Sequence, residues 1–260
     1  MMNKIKEIAV EAAREAGLYA LGRMGNIEEV QYKRNHNDIV TDVDKHCEKL
    51  IIGRIQEEFP AHGILAEESG ETAAEAGDFL WIIDPIDGTT NYAHGFPFFC
   101  VSIGVMCEGE MKMGVVYDPT RDELFTAEAG KGAFLNGKKI RVSSASKVMD
   151  SIIGTGFSYD PKRRSEVLPY FENVIKHAQA IRRAGSAALD LSYVACGRFD
   201  GFWEFGLNPW DISAGLLLIQ EAGGKISKMS GGPSSIHDKE IVASNGNIHQ
   251  ELLNILTSWC

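Results

Sequence analysis

A chain of 260 residues, 44% apolar and 24% charged, can build one large domain or two small ones and is excluded from the disordered and collagen-like classes. Its formal charge of −10 argues against direct nucleic-acid binding, which relies on basic patches. Five scattered cysteines (Cys47, Cys100, Cys107, Cys196, Cys260) without a Cys-x-x-Cys, no signal-peptide core in residues 1–14 and no apolar run of about 18 residues together predict a soluble cytoplasmic protein with free thiols and no membrane contact.

The first predicted element is a helix over residues 3–24, where Ile5, Ile8, Ala9, Ala12, Ala13 and Ala16 recur with helical period. A second helix, from about Asp42 to Phe59, carries Cys47, Leu50, Ile51 and Ile55 on one face and is broken by Pro60-Ala61-His62-Gly63. Ile64-Leu65-Ala66 reads as a short strand entering Glu67, and an apolar strand from Trp81 is expected to stop at Asp84. Residues 98–140 turn to a β pattern, with Asn136-Gly137 as a hairpin signal. Beyond a candidate boundary at Ser143-Ser144-Ala145-Ser146, strands and helices alternate. Strands are predicted at 152–157, 199–205 and near 241–243, and helices at 162–177, 185–196, 209–222 and 250–259. The fold class expected is α+β in the first half and α/β in the second, divided into 1–144 and 145–260.

The segment Trp81-Ile82-Ile83-Asp84-Pro85-Ile86-Asp87-Gly88-Thr89-Thr90-Asn91-Tyr92 concentrates the chemistry. Two carboxylates about 4 Å apart repel by roughly 4 kcal/mol at an effective dielectric near 20. A hard cation between them offsets that repulsion, and oxygen donors suit Mg2+ or Mn2+. Gly88-Thr89-Thr90 reads as a helix start whose free N–H groups could hold phosphate. Each acid also has a plainer reading. Asp87 could cap the following helix. Asp44, in Thr41-Asp42-Val43-Asp44, fits a capping box. Asn208-Pro209-Trp210-Asp211 reads as an N-cap, a first-turn proline and a first-turn acid. Glu67 and Glu68 could be solvated charges, and Lys33-Arg34 a basic pair in a polar turn.

The Asp84–Asn91 segment resembles the metal-binding signature of the inositol monophosphatase family. Trp210-Asp211-Ile212-Ser213-Ala214-Gly215, ending in Glu221-Ala222-Gly223-Gly224, is similar to that family's second signature, and Glu67-Glu68-Ser69 to a third element. All three occur in the family's order. The resemblance implies a layered αβαβα sandwich, of the type shared with fructose bisphosphatases, with the metals at the junction of its halves. It makes Glu67, Asp84, the Ile86 carbonyl, Asp87 and Asp211 metal ligands, for two or three Mg2+ ions. Most of them lie in 1–144, with Asp211 and the substrate side in 145–260.

It gives Thr89 and Glu67 the attacking water, with Asp44 supporting Thr89. Gly88, Thr89 and Thr90 face phosphate, and Gly185, Ser186, Ala187 and Glu204 face the alcohol. Arg183, after Arg182, is a candidate contact to a second anion, Lys33 a phosphate neighbour, and His94 a structural residue. The expected activity is hydrolysis of a small phosphorylated metabolite by direct attack of water, first of all inositol monophosphate. Fructose bisphosphate, NADP and histidinol phosphate are the alternatives. Lithium sensitivity and a homodimer are implied. A different class, a protein partner of the transcription machinery, is implied by some bacterial members.

Overall fold

The computed structural model describes residues 1–33, 36, 39–72, 79–158 and 161–258. Cys260, Trp259 and Arg34 therefore lie outside the described residues. The chain opens with helix α1 (Met2–Arg23), a hairpin of β1 (Val30–Tyr32) and β2 (Ile39–Thr41), and α2 (Asp42–Glu58). Then come β3 (Gly63–Ala66), β4 (Gly70–Thr72), β5 (Phe79–Asp87), the short α3 (Thr89–Ala93), and a meander of β6 (Cys100–Cys107), β7 (Glu110–Asp118), β8 (Glu123–Glu128), β9 (Gly132–Leu135) and β10 (Lys138–Lys139). The second half runs β11 (Ile152–Thr155), α4 (Pro161–His177), β12 (Ala180–Arg182), α5 (Ala187–Ala195), β13 (Gly201–Phe205), α6 (Pro209–Glu221), β14 (Lys225–Ser227), β15 (Glu240–Ser244) and α7 (His249–Thr257).

Strands β3 to β10 form one sheet in the order β10-β9-β8-β7-β6-β5-β3-β4, and a second sheet has the order β12-β11-β13-β15-β14. Side chains alternate across a strand, so each sheet offers two faces. Trp81, Ile83, Val101, Ile103, Val105 and Val115 face α1 and α2. Ile82, Cys100, Val116 and Phe125 face the other way, onto α5 and α6, and the same apolar core reaches Phe202 and Ala243 of the second sheet. Ile153, Trp203 and Val242 close a third core against α4 and α7. Three cores between five layers make an αβαβα sandwich.

Two features bring α6 close to the first sheet. A Cβ on Gly114 of β7 would lie 2.8 Å from the Ala214 carbonyl oxygen, and one on Gly104 of β6 would overlap Ser213. The predicted hairpin at Asn136-Gly137 joins β9 to β10 through two residues of positive φ, 48° and 76°, the turn that matches strand twist. Three-residue strands at sheet edges (β4, β12, β14) and the β1–β2 hairpin carry no periodicity and are not predicted by the pattern. Among the described residues no helix is long and apolar enough to cross a membrane.

Candidate active site

Strand β5 does not stop at Asp84 as expected; it continues to Asp87, and the continuation explains the site. Asp84 pairs with Ser102 and Asp87 with Cys100, so Pro85 and Ile86 oppose the single residue Val101. Residues three apart on a regular strand point to opposite faces. The extra residue of this bulge restores the parity. Ile86 then turns into the α1/α2 core with Ile83, while both aspartates face α5 and α6. Pro85 suits the position because a bulged residue needs no ladder N–H. Asp84 Oδ1 accepts from the Ile86 N–H at 3.1 Å, which fixes the kink.

Other elements deliver the remaining acids. Glu67 follows β3, which runs parallel to β5, and its N–H donates to the Ile83 carbonyl at 3.2 Å. Asp211 stands in the first turn of α6 and caps it, accepting from the Asn208 N–H at 2.7 Å. The cap and first-turn proline read from the sequence are thus present, and the half-buried acid also lies within the electrostatic influence of Asp87 and Glu67. Burial first, then the charges of Glu67, Asp87 and Asp211, hold the Asp84 carboxyl well above the ordinary carboxylate range. Burial and then the Asp87 charge do the same to Asp211. Burial lifts Asp87 to about 6 against the opposing hydrogen bond of Ser186. Ser186 Oγ donates to Asp87 Oδ2 at 2.6 Å and the Ala188 N–H at 2.7 Å, so α5 aims that carboxylate.

Among the described residues, no three His, Cys, Asp or Glu side chains are already drawn together in metal-ligand spacing. The chemistry of the donor set nevertheless fits a hard dication. Four acidic side chains and a peptide oxygen face one region, and burial together with mutual repulsion raises the proton affinities of Asp84, Asp87 and Asp211. A cation already stands at one side of it. Lys33 Nζ lies 2.8 Å from Glu67 Oε1 and 2.5 Å from Glu68 Oε1. Burial alone would lower the lysine; Glu67 and Glu68 outweigh it and keep the ammonium charged. Burial lifts Glu68 to about 7, and its N–H donates to Glu48 at 2.8 Å.

Thr89, first residue of α3, directs its hydroxyl to Asp44 Oδ1 at 2.9 Å and to the Ile86 carbonyl at 3.0 Å. Asp44 is at once the capping-box acid of α2, held by the Thr41 N–H at 2.9 Å and by the Thr41 hydroxyl. Burial lifts its carboxyl to about 6. Gly88, with φ of 102°, lets the chain turn where a Cβ would meet the Phe98 and Gly185 carbonyls at 3.0 and 3.2 Å. Asn91 Nδ2 ties α3 to the second half through the Phe98 and Ala184 carbonyls, both at 2.8 Å. This brings Gly185, Ser186 and Ala187 against the Gly88–Thr90 turn.

Glu204, on β13, is lifted to about 8 by burial, against the nearby Arg183 charge. Arg183 stacks over Phe157, 6.0 Å from its centroid. His94 is exposed at the end of α3. Sequence reasoning missed Gly156. A Cβ on Gly156 would overlap the Glu204 carboxylate. The signal was available only as an unexplained glycine in the strand pattern.

The model of the inositol monophosphatase family matches residues 1–258. An inositol-1-monophosphatase of Synechocystis is 44% identical over 97% of this chain and 88% of its own length. A protein of Pseudomonas aeruginosa named Nus factor SuhB is 41% identical over 98% and 96%. Among solved structures, the extragenic suppressor protein suhB of Bartonella henselae superposes with a TM-score of 0.94 at 40% identity, over 99% of this chain and all of that one. An IMPase/NADP phosphatase complexed with Mg2+ and phosphate superposes with a TM-score of 0.86 at 27% identity, over 98% and 96%.

Proposed function

This chain belongs to the inositol monophosphatase family, and from that membership we propose that it hydrolyses a phosphate monoester of a small polyol, inositol monophosphate first of all, with Mg2+. The observation that carries the reading is the convergence of Glu67, Asp84, Asp87 and Asp211 beside the Thr89–Asp44 hydrogen bond. Glu67, Asp84, Asp87, Asp211 and the Ile86 carbonyl would hold the metal. Bound there, Mg2+ supplies Lewis acidity that makes water more acidic and offsets the charge of the phosphate and the leaving oxygen.

Thr89, with its hydrogen committed to Asp44, offers a lone pair to the attacking water. Asp44, lifted to about 6, is matched to proton transfer near neutrality, and Glu67 is the second acceptor. The backbone of Gly88 and Thr90 receives the phosphate oxygens. Ser186 keeps Asp87 turned inward, and Gly185, Ala187 and Glu204 border the alcohol. A boundary between 144 and 145 is part of the same proposal, with the site at the meeting of the halves, as is a homodimer.

The test is phosphate release with Mg2+ from inositol monophosphate, fructose bisphosphate, NADP and histidinol phosphate. Preference for the first, abolished by EDTA, supports the reading. Preference for another names that ester instead, and no release from any overturns it. A second reading is favoured by the relative named Nus factor SuhB, which aligns along nearly the whole chain. In that reading the protein binds transcription machinery, and co-purification of RNA polymerase with a hydrolysis-dead variant is the deciding result.

A further inference from the structure

Among the described residues, Lys33 is the one cation paired with any of Glu67, Asp84, Asp87 and Asp211. It follows β1 directly, and its ammonium bridges two neighbouring carboxylates, Glu67 at 2.8 Å and Glu68 at 2.5 Å. Consecutive side chains on a strand point to opposite faces. Here β3 has ended at Ala66, and the turn that follows brings both acids onto one ammonium.

The fold fixes the backbone of each acid separately. The Glu67 N–H donates to the Ile83 carbonyl of β5 at 3.2 Å, and the Glu68 N–H to Glu48 Oε2 of α2 at 2.8 Å. Glu48 is buried and stands one turn beyond Asp44 on the same face of α2. One helix face thus holds the Thr89 hydroxyl, through Asp44, and the Glu68 backbone, through Glu48. The Glu68 side chain is the deeper of the two, 10% exposed against 21% for Glu67. Taking the cation away from a carboxylate so placed is costly, so Lys33 is bound more firmly to Glu68.

A dication and an ammonium on one carboxylate repel, so metal loading requires Lys33 to give up Glu67. An ammonium has three donors on a flexible stem and can release one partner while keeping another. We propose that Glu68 is a positioning residue for metal loading: Lys33 neutralises Glu67 while no metal is bound, and Glu68 retains the ammonium when a dication takes Glu67. This rests on the reading of the acids as a dication site and adds to it a residue that is not itself a ligand.

The experiment measures the dissociation constant of the tightest-bound Mn2+ at one pH, from the EPR signal of the free ion. It compares the wild type, Glu68→Gln, Lys33→Met and the double variant, with thermal unfolding in EDTA followed in parallel. Glu68→Gln alone is expected to weaken binding about tenfold, because Lys33 then has no second carboxylate and stays on Glu67. In the Lys33→Met background the same change is expected to weaken it less than about twofold. Lys33→Met alone is expected to bind at least as tightly as the wild type and to unfold at a lower temperature in EDTA, where the acids have lost their counter-ion. Lys33→Gln, which still donates to Glu68 without a charge, replaces it in the comparison if Lys33→Met does not fold. An equal loss from Glu68→Gln in both backgrounds would make Glu68 a bare charge acting on the metal, and no loss in either would make it structural. Each of these results, or weaker binding by Lys33→Met, overturns the assignment while leaving the metal site standing. If none of the proteins binds Mn2+, both fall.

Discussion

At the scale of single residues, the site is a collection of groups each doing two tasks. Asp44 closes the capping box of α2 and holds the Thr89 hydroxyl. Asp211 caps α6 and adds its charge to the acidic group. The plain reading and the chemical reading of such residues are compatible, because a carboxylate has two oxygens and several lone pairs. Asp84 is the simplest to test, being buried and lifted by its neighbours' charges. Asp84→Asn is expected to lower turnover about a thousandfold while leaving the unfolding temperature unchanged or higher. Activity assays and calorimetry on the same preparation check both halves.

The acids were legible in the sequence because Asp-Pro-Ile-Asp and Pro-Trp-Asp announce themselves by type and spacing. The bulge that turns Asp84 and Asp87 to one face was not, since nothing local distinguishes a strand that stops from one that kinks. Gly156 was hidden for another reason: its meaning depends on Glu204, which lies on a different strand.

At the scale of elements, helix α6 couples stability to the site. It carries Asp211 at its first turn, and its small residues pack against Gly104 and Gly114 of the first sheet. Gly114→Val is expected to destabilise the fold by about 1–3 kcal/mol and to impair turnover by displacing α6. A shifted denaturant midpoint with normal activity would show that the sheet yields instead of the helix.

A second link sits at α7. His249 is buried, with Nδ1 2.9 Å from Ser244 Oγ of β15 and Nε2 2.9 Å from Ser227 Oγ of β14. Burial lowers its pKa to about 4, against an ordinary value of 6.5. Between those values the unfolded chain binds a proton that the folded chain refuses, so stability is lost as pH falls from about 6.5 to about 4. The full effect is about 3 kcal/mol. His249→Gln removes this contribution, and the difference in pH slope between the two proteins measures it. The long helices and the main strands were legible from their periods, whereas β12 and β14 depend on neighbours for their pairing and have too few residues to show one.

At the scale of the whole molecule, the acidic group lies between elements far apart in sequence: β3, β5 and α6. Binding of a dication only by the folded chain stabilises it by mass action, about 2.7 kcal/mol when the ion is at a hundred times its dissociation constant. EDTA is expected to lower the unfolding temperature and added Mg2+ to restore it; an unfolding temperature indifferent to both would remove the metal from the proposal. The α/β character of the second half followed from the alternation of strands and helices, and the layered order from the family resemblance. Which helix covers which face did not, because apolar periodicity shows that a face is buried without naming its partner.

The position of α6 also sets a timetable for synthesis. Strand β7 ends at Asp118, yet the helix that covers that sheet face ends at Glu221, about a hundred residues later. At about 5–20 residues per second, a nascent chain carries this apolar sheet surface uncovered for about 5–20 s. During that interval the surface is open to non-native association, and Asp211 reaches the other acids only when the interval ends.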